Sequence, residues 1–283
     1  MCTLVMLRRP EARWPLMIAA NRDELSTRPW KGPARHWPDR PDVVAGKDMT
    51  ADGSWFGVND DGVVAAILNR PGTLGPADGK RSRGELVLEA LDHAEAKVAA
   101  EALADLDPES YRPFNLVVAD RYDAFWLCHA GHRPSLRIRT PKGIWREIDP
   151  LYMPEGASFA EVGDHAAAPP AEITCRPIPS GLSMITANDL NDPTSPLIRH
   201  FLPRFRSAAL PDPESGDWSA WIDLLGERTM PGGNPKHAIN VTEAGAFKTV
   251  CSQLLALPAI GEPVMRFATG HPDEAPFEPV DLT

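Results

Sequence analysis

What this 283-residue chain lacks narrows the field first. It has only four cysteines, Cys2, Cys128, Cys175 and Cys251, and none stands at metal-ligand spacing from another. So few in a chain this long make no disulfide framework, which suits a reduced, cytoplasmic protein. No uninterrupted apolar run reaches the length of a membrane span. The N-terminus carries no secretory pattern, because Arg8, Arg9 and Glu11 break the opening apolar run early. No block of Lys and Arg occurs and the net charge is −10, which argues against nucleic acid or an anionic membrane as the main partner. An acidic substrate in a local basic pocket stays open. No repeat, low-complexity tract or linker divides the chain, so residues 1–283 read as one domain, with 271–283 as an acidic, Pro-rich surface tail.

What is present begins at the front. The runs Thr3 to Leu7 and Leu16 to Ala20 are short and apolar and read as buried strands, with a turn at Arg8-Arg9-Pro10-Glu11. Pro29, Pro33, Pro38 and Pro41 mark a loop carrying Trp30, His36 and Trp37. Ser54 to Asn59 and Val63 to Asn69 flank Asp60-Asp61-Gly62, a strong hairpin signal because glycine accepts positive φ without a steric penalty. Ser82-Arg83-Gly84-Glu85 has the pattern of a capping box ahead of a helix. A second helical stretch runs from Ala94 to Leu106, and a second hairpin joins Phe114–Asp120 to Ala124–Cys128. A strand from Leu182 to Asn188, a helix from Ser195 to Ala208, a helix from Trp218 capped by Asp217, and strands at 247–257 and 263–269 complete the order. Strands in hairpins and helices in groups make an α+β order with antiparallel sheets.

The second strand delivers Asn21-Arg22-Asp23-Glu24. If Met1 is removed, Cys2 carries a thiol and a free α-amine on one residue. The reference pKa values, ~8.5 for the thiol and ~7.7–8.0 for the amine, make the amine a base matched to neutral pH. It can take the thiol proton directly or through a water. Asp23 is placed to hold the ammonium, and Arg22 to lower the thiol pKa or bind an anionic part of a substrate. Asn69 and Asn188 stand at predicted strand exits, where a side-chain N–H can meet a developing oxyanion. Taken singly these features have bland readings: a chance cysteine before an edge strand, and a turn of solvated charges. Cys128-His129-Ala130-Gly131-His132 reads as a solvated turn before it reads as a metal or haem site.

Met1-Cys2, Ala19-Ala20-Asn21-Arg22-Asp23-Glu24, Gly53-Ser54-Trp55-Phe56-Gly57, Ala65 to Arg70, Arg81 to Leu86, Phe114-Asn115-Leu116 and Gly181-Leu182-Ser183 together resemble the NRDE, or transport-and-Golgi-organisation, family. That family is similar in turn to N-terminal-nucleophile hydrolases of the penicillin V acylase and bile salt hydrolase type. The resemblance implies a four-layer αββα sandwich of two antiparallel sheets. It implies Cys2 as nucleophile, Asp23 as partner of the α-amine, Arg22 near the thiol, and Asn69 and Asn188 as oxyanion donors. Where those hydrolases carry a late-strand arginine, Lys248 in Gly245-Ala246-Phe247-Lys248-Thr249 stands in, keeping the charge without the bidentate fork. The implied substrate is a small-molecule amide, thioester or acyl compound, with no cofactor or metal. The family's links to haem trafficking and acyl-lipid metabolism imply an alternative: a non-catalytic carrier of haem or an acylated ligand on the same fold. A plain interaction protein is the third reading. Oligomeric state is not legible.

Overall fold

A computed structural model describes residues 2–131, 136–139, 145–148, 161–162, 171–229, 238–242 and 246–283, the three short central pieces as backbone only. The first two apolar runs form β1 (Thr3–Arg8) and β2 (Leu16–Leu25), an antiparallel hairpin with Thr3 opposite Asn21. The third strand, β3 (Trp30–Ala34), lies where prolines predict a loop. Pro33 is tolerated because β3 is the outermost strand of its sheet, where a missing N–H breaks no ladder. Next come β4 (Val43–Asp48), β5 (Phe56–Asn59) and β6 (Val64–Asn69). Gly62 turns the β5–β6 hairpin at φ 85°.

Helices α1 (Gly84–Leu91) and α2 (Ala96–Ala104) precede β7 (Phe114–Ala119) and β8 (Ala124–His129). A small sheet of β9 (Leu136–Arg139), β10 (Trp145–Ile148) and β11 (Glu161–Val162) follows. Then come β12 (Ile173–Pro177), β13 (Gly181–Ile185), α3 (Pro196–Ser207), α4 (Ser219–Leu225), β14 (Phe247–Leu257), β15 (Val264–Ala268) and β16 (Glu278–Pro279).

Two antiparallel sheets carry the architecture. One has the order β13-β1-β2-β14-β15-β16 and the other β12-β8-β7-β6-β5-β4-β3. Side chains alternate across each strand, so one strand feeds two cores. Leu4, Met6, Leu16, Ile18 and Ala20 meet Val64, Ala66, Leu68 and Val117 between the sheets. Val5, Leu7, Met17 and Ala19 face Phe201, Phe205, Trp218 and Trp221 of the α3–α4 layer. Ala65, Leu116 and Val118 face Leu86, Val87, Ala99 and Leu103 of α1 and α2. The result is α3–α4, sheet, sheet, α1–α2: an αββα sandwich, explaining why the strands read as near-continuous apolar runs.

Three local readings change. Ser82 does not close a capping box. Helix α1 starts at Gly84, its N-cap Arg83 makes no side-chain capping bond, and Ser82 Oγ accepts the N–H of Gly84 at 3.3 Å. The cause is steric: Ser54 N–H donates to the Gly84 carbonyl at 2.9 Å, and a Cβ on Gly53 would lie 2.5 Å from the Gly84 backbone. Helix α4 starts at Ser219, one residue later than expected, so Trp218 and not Asp217 is its N-cap, and Asp217 accepts the Ser219 N–H at 3.0 Å from the residue before. Residues 271–283 are more than a surface tail. His271 bonds Asn240, β16 pairs with β15, and Val280 and Leu282 pack on the inter-sheet core.

Candidate active site

Register places the front of the chain. With Thr3 opposite Asn21, Cys2 falls just beyond the last β1–β2 pair, beside the exit of the tetrapeptide. The Asp23 N–H donates to Cys2 Sγ at 3.4 Å. Period-two alternation then splits the tetrapeptide. Asn21 reaches toward the helix layer: Nδ2 donates to the carbonyls of Leu225 (3.0 Å) and Ile239 (2.9 Å), and Oδ1 accepts from Ser252 Oγ at 2.7 Å. Asn21 is therefore structural. Asp23, opposite Thr249 on β14, accepts its hydroxyl at 2.6 Å, and that hydroxyl accepts the Val241 N–H at 2.9 Å. Arg22 turns between the sheets. Its guanidinium lies 4.2 Å from the centre of the Trp55 ring and 3.6 Å from the Glu24 carboxylate. Trp55 is fixed in turn: its Nε1 donates to Gln253 Oε1 at 3.2 Å, and a Cβ on Gly46 would sit 2.3 Å from the ring.

The late strand departs from expectation. Lys248 stands opposite Glu24 at the start of β14, half-buried, and does not line the cavity beside Cys2. The β2–β14 register shifts between Thr249 and Cys251, and the extra residue, Val250, packs into the inter-sheet core. A bulge of this kind re-aims the side chains around it. Cys251, opposite Arg22, is fully buried, and burial pushes its thiol well above the ordinary range.

Asn69 ends β6 and lines the same cavity as Cys2. Asn188 lies three residues beyond Ile185, which pairs with Leu4 of β1, and is not among the cavity-lining residues. Its carbonyl is held by Asn115, whose Nδ2 donates to Asn188 O at 2.7 Å and Thr186 O at 3.0 Å. Asn115 Oδ1 accepts from Arg70 Nη1 at 2.7 Å and Trp126 Nε1 at 3.2 Å. Asn115, Thr249 and Trp55 are the residues that reading the sequence for chemistry misses. The only signal was the Phe114-Asn115-Leu116 and Ser54-Trp55-Phe56 segments, which carried family resemblance without a role.

The cavity holds about 340 Å³ and is lined by Cys2, Arg22, Asp23, Glu24, Trp55 and Asn69, and also by Ser82 to Gly84 and Arg112. Burial pushes the Cys2 thiol above its ordinary pKa, and the Asp23 charge adds to this, while the Asp23 N–H and Arg22 oppose. Burial also raises the Asp23 carboxyl, opposed in part by the Thr249 hydroxyl. A thiol so placed is neutral until a base removes its proton. Among the described residues no three His, Cys, Asp or Glu side chains gather as a metal site. His129, expected to be solvated, is buried in β8 against Phe114, because the strand runs one residue past Cys128; His132 lies outside the described residues.

Comparison with known proteins fits this architecture. A Caenorhabditis elegans N-acylethanolamine-hydrolyzing acid amidase ortholog superposes with a TM-score of 0.54 at 11% identity, covering 91% of this chain and 94% of its own. A variant of conjugated bile acid hydrolase from Clostridium perfringens matches with TM-score 0.49, 10% identity, and coverage of 99% and 92%. Penicillin V acylase from Agrobacterium tumefaciens matches with TM-score 0.42, 12% identity, and coverage of 95% and 86%. The chain thus shares the fold of the acid amidase ortholog, which for this chain is the αββα sandwich described above. It belongs to the Transport and Golgi organisation 2 family, whose profile matches residues 1–147. A search of curated proteins finds no match. Among the described residues no helix is long and apolar enough to cross a membrane.

Proposed function

We propose that this chain is an N-terminal-cysteine hydrolase that cleaves a small-molecule amide or thioester after Met1 is removed. The observation that carries the reading is the Cys2 thiol on the wall of a 340 Å³ cavity that Asn69 also lines, with the Asp23 N–H on its sulfur. In this reading the α-amine of Cys2 takes the thiol proton, and sulfur attacks the substrate carbonyl. The oxyanion is met by Asn69, a donor of a kind worth roughly 2.7–4 kcal/mol in comparable sites. The C–N or C–S bond breaks as the ammonium returns its proton to the leaving amine or thiol. Water then attacks the S-acyl group, releases the acid and restores the thiol. Asp23, braced by Thr249, orients the ammonium, and Arg22, braced by Trp55, sets the field at sulfur. Lys248 has no part in this scheme.

The test is the intact mass of protein expressed with its native N-terminus, before and after a thiol-directed acylating probe. Loss of Met1 and one adduct, absent in Cys2→Ala, supports the reading. Retained Met1, or an unreactive Cys2, overturns it and favours the non-catalytic carrier of haem or an acylated ligand.

A further inference from the structure

The cavity is basic in an acidic protein. Six cationic side chains line it, Arg22, Arg28, Lys80, Arg81, Arg83 and Arg112, against three carboxylates, Asp23, Glu24 and Asp48. Four of these cations have acidic partners: Arg22 with Glu24 at 3.6 Å, Arg28 with Asp48 at 2.7 Å, Arg81 with Glu85 at 2.6 Å, and Lys80 with Glu109 at 3.5 Å. Arg83 and Arg112 do not. Arg83 donates only to Thr73 Oγ1 (2.8 Å), Thr73 O (2.9 Å) and Pro113 O (2.9 Å). Arg112 donates only to the carbonyls of Gly72, Leu74, Gly75 and Pro76. Among the described residues neither meets a carboxylate. Both brace the one loop that leaves Asn69, so two like charges are fixed side by side. Deeper in, Arg22 is nearly fully buried and its Nη1 has no hydrogen-bond partner.

Arg83 and Arg112 are half-buried, and two like charges held side by side without a counter-charge repel each other, which an anion between them would relieve. Burial and the neighbouring Arg112 charge together lower Arg83 to about 10, the direction expected of a guanidinium lacking its anion. Each guanidinium keeps N–H groups not used by the loop, and a guanidinium fork matches an oxyanion.

We infer that the substrate carries an oxyanion group, a carboxylate or phosphate remote from the scissile bond, which seats on Arg83 and Arg112 while the acyl carbon reaches Cys2. This deepens the hydrolase reading by naming one end of its substrate. It also ties binding to catalysis, because the loop the anion would steady begins at Asn69.

The test compares two alkylating agents with the same reactive end: N-iodoacetyl-6-aminohexanoate and its uncharged methylamide. Cys2 alkylation is followed by intact mass. At low salt the anionic agent should react on the order of tenfold faster, as electrostatic focusing predicts. The ratio should fall toward one in Arg83→Gln and in Arg112→Gln. Arg83→Gln loses part-buried bonds to Thr73 and Pro113, whereas the loop carbonyls released in Arg112→Gln are exposed and can turn to water, so Arg112→Gln is the variant that stands if the first misfolds. Equal rates in the unaltered protein, or an unchanged ratio in the Arg112 variant, overturn the inference; alkylation by the methylamide alone would still leave the nucleophile reading intact. A second measurement needs no reactive thiol. Succinate or inorganic phosphate should raise Tm in the unaltered protein and fail to do so in Arg112→Gln. The anion that works identifies the class, and no Arg112-dependent shift with either overturns the inference even if Cys2 proves inert.

Discussion

Asn115 of one sheet holds the backbone of Asn188 at the end of the other, its Nδ2 donating to the Asn188 carbonyl at 2.7 Å. The same amide serves Thr186, Arg70 and Trp126, and the residue is fully buried. It is a polar pin between the two sheets at the Cys2 end of the sandwich. Asn115→Leu keeps the volume and takes a bond from all four partners, of which Arg70 still has Asp189 and Cys128. We expect a loss of about 3 kcal/mol or more, since each buried group left unmet costs about 1–3. Calorimetry should show Tm lower by roughly 6–12 °C for a chain of this size. An unchanged Tm would mean the partners find water.

Cys2 lines the cavity and is half-buried at the border of the inter-sheet core, where alanine keeps the Cβ and loses only the sulfur. Cys2→Ala should therefore abolish turnover and probe labelling with Tm changed by no more than about 2 °C, within the range usual for surface substitutions. Labelling that persists in this variant would point to Cys128, Cys175 or Cys251.

In the proposed reaction Asp23 sets function against stability. Its folded pKa is raised by burial, so the folded state favours the protonated form. The stability this group contributes is full below its unfolded pKa of ~3.9 and is lost as pH rises through the folded value. At pH 7 the buried charge is a liability. Asp23→Asn should raise Tm at pH 7 while removing activity, and the gain should shrink as pH is lowered toward 4. A lower Tm at pH 7 would show that the carboxylate is needed for folding.

Thr249 is the link between Asp23 and the Val241 backbone. Thr249→Val leaves the buried Val241 N–H unmet, which should cost about 1–3 kcal/mol, and releases Asp23. We expect kcat to fall more than KM rises, with a shifted pH profile. Thr249→Ser should restore both, because it keeps the hydroxyl. If serine and valine behave alike, the hydroxyl is not what positions Asp23.

Much of the fold is legible in sequence because alternation and turn chemistry are local. Gly62 announces its hairpin, and the doubly apolar β6 announces a strand covered on both faces. The front of the site is legible for the same reason: a β1–β2 hairpin must bring Cys2 to the exit of Arg22 and Asp23. What is not legible depends on register across distant segments. The shift between Thr249 and Cys251 puts Val250 where a strict period would put another side chain, so Lys248 cannot be assigned by counting. The mismatch at Ser82 has the same origin, since only the approach of Gly53 to Gly84 shows why the helix starts late. Asn115 reads as one polar letter in a buried strand until its four partners, three of them distant in sequence, are in place.

The C-terminal segment has a consequence outside catalysis. Strand β16 covers the β15 edge of one sheet, while Arg35, just past β3 at the edge of the other, donates to the Leu282 carbonyl at 2.8 Å. One short segment thus covers part of the β15 edge and is tied to the end of the edge strand of the other sheet. Open edges invite pairing with other chains. Residues 278–283 therefore act as a guard against self-association, and a protein shortened at Glu278 should retain its active end yet precipitate at concentrations the full chain tolerates.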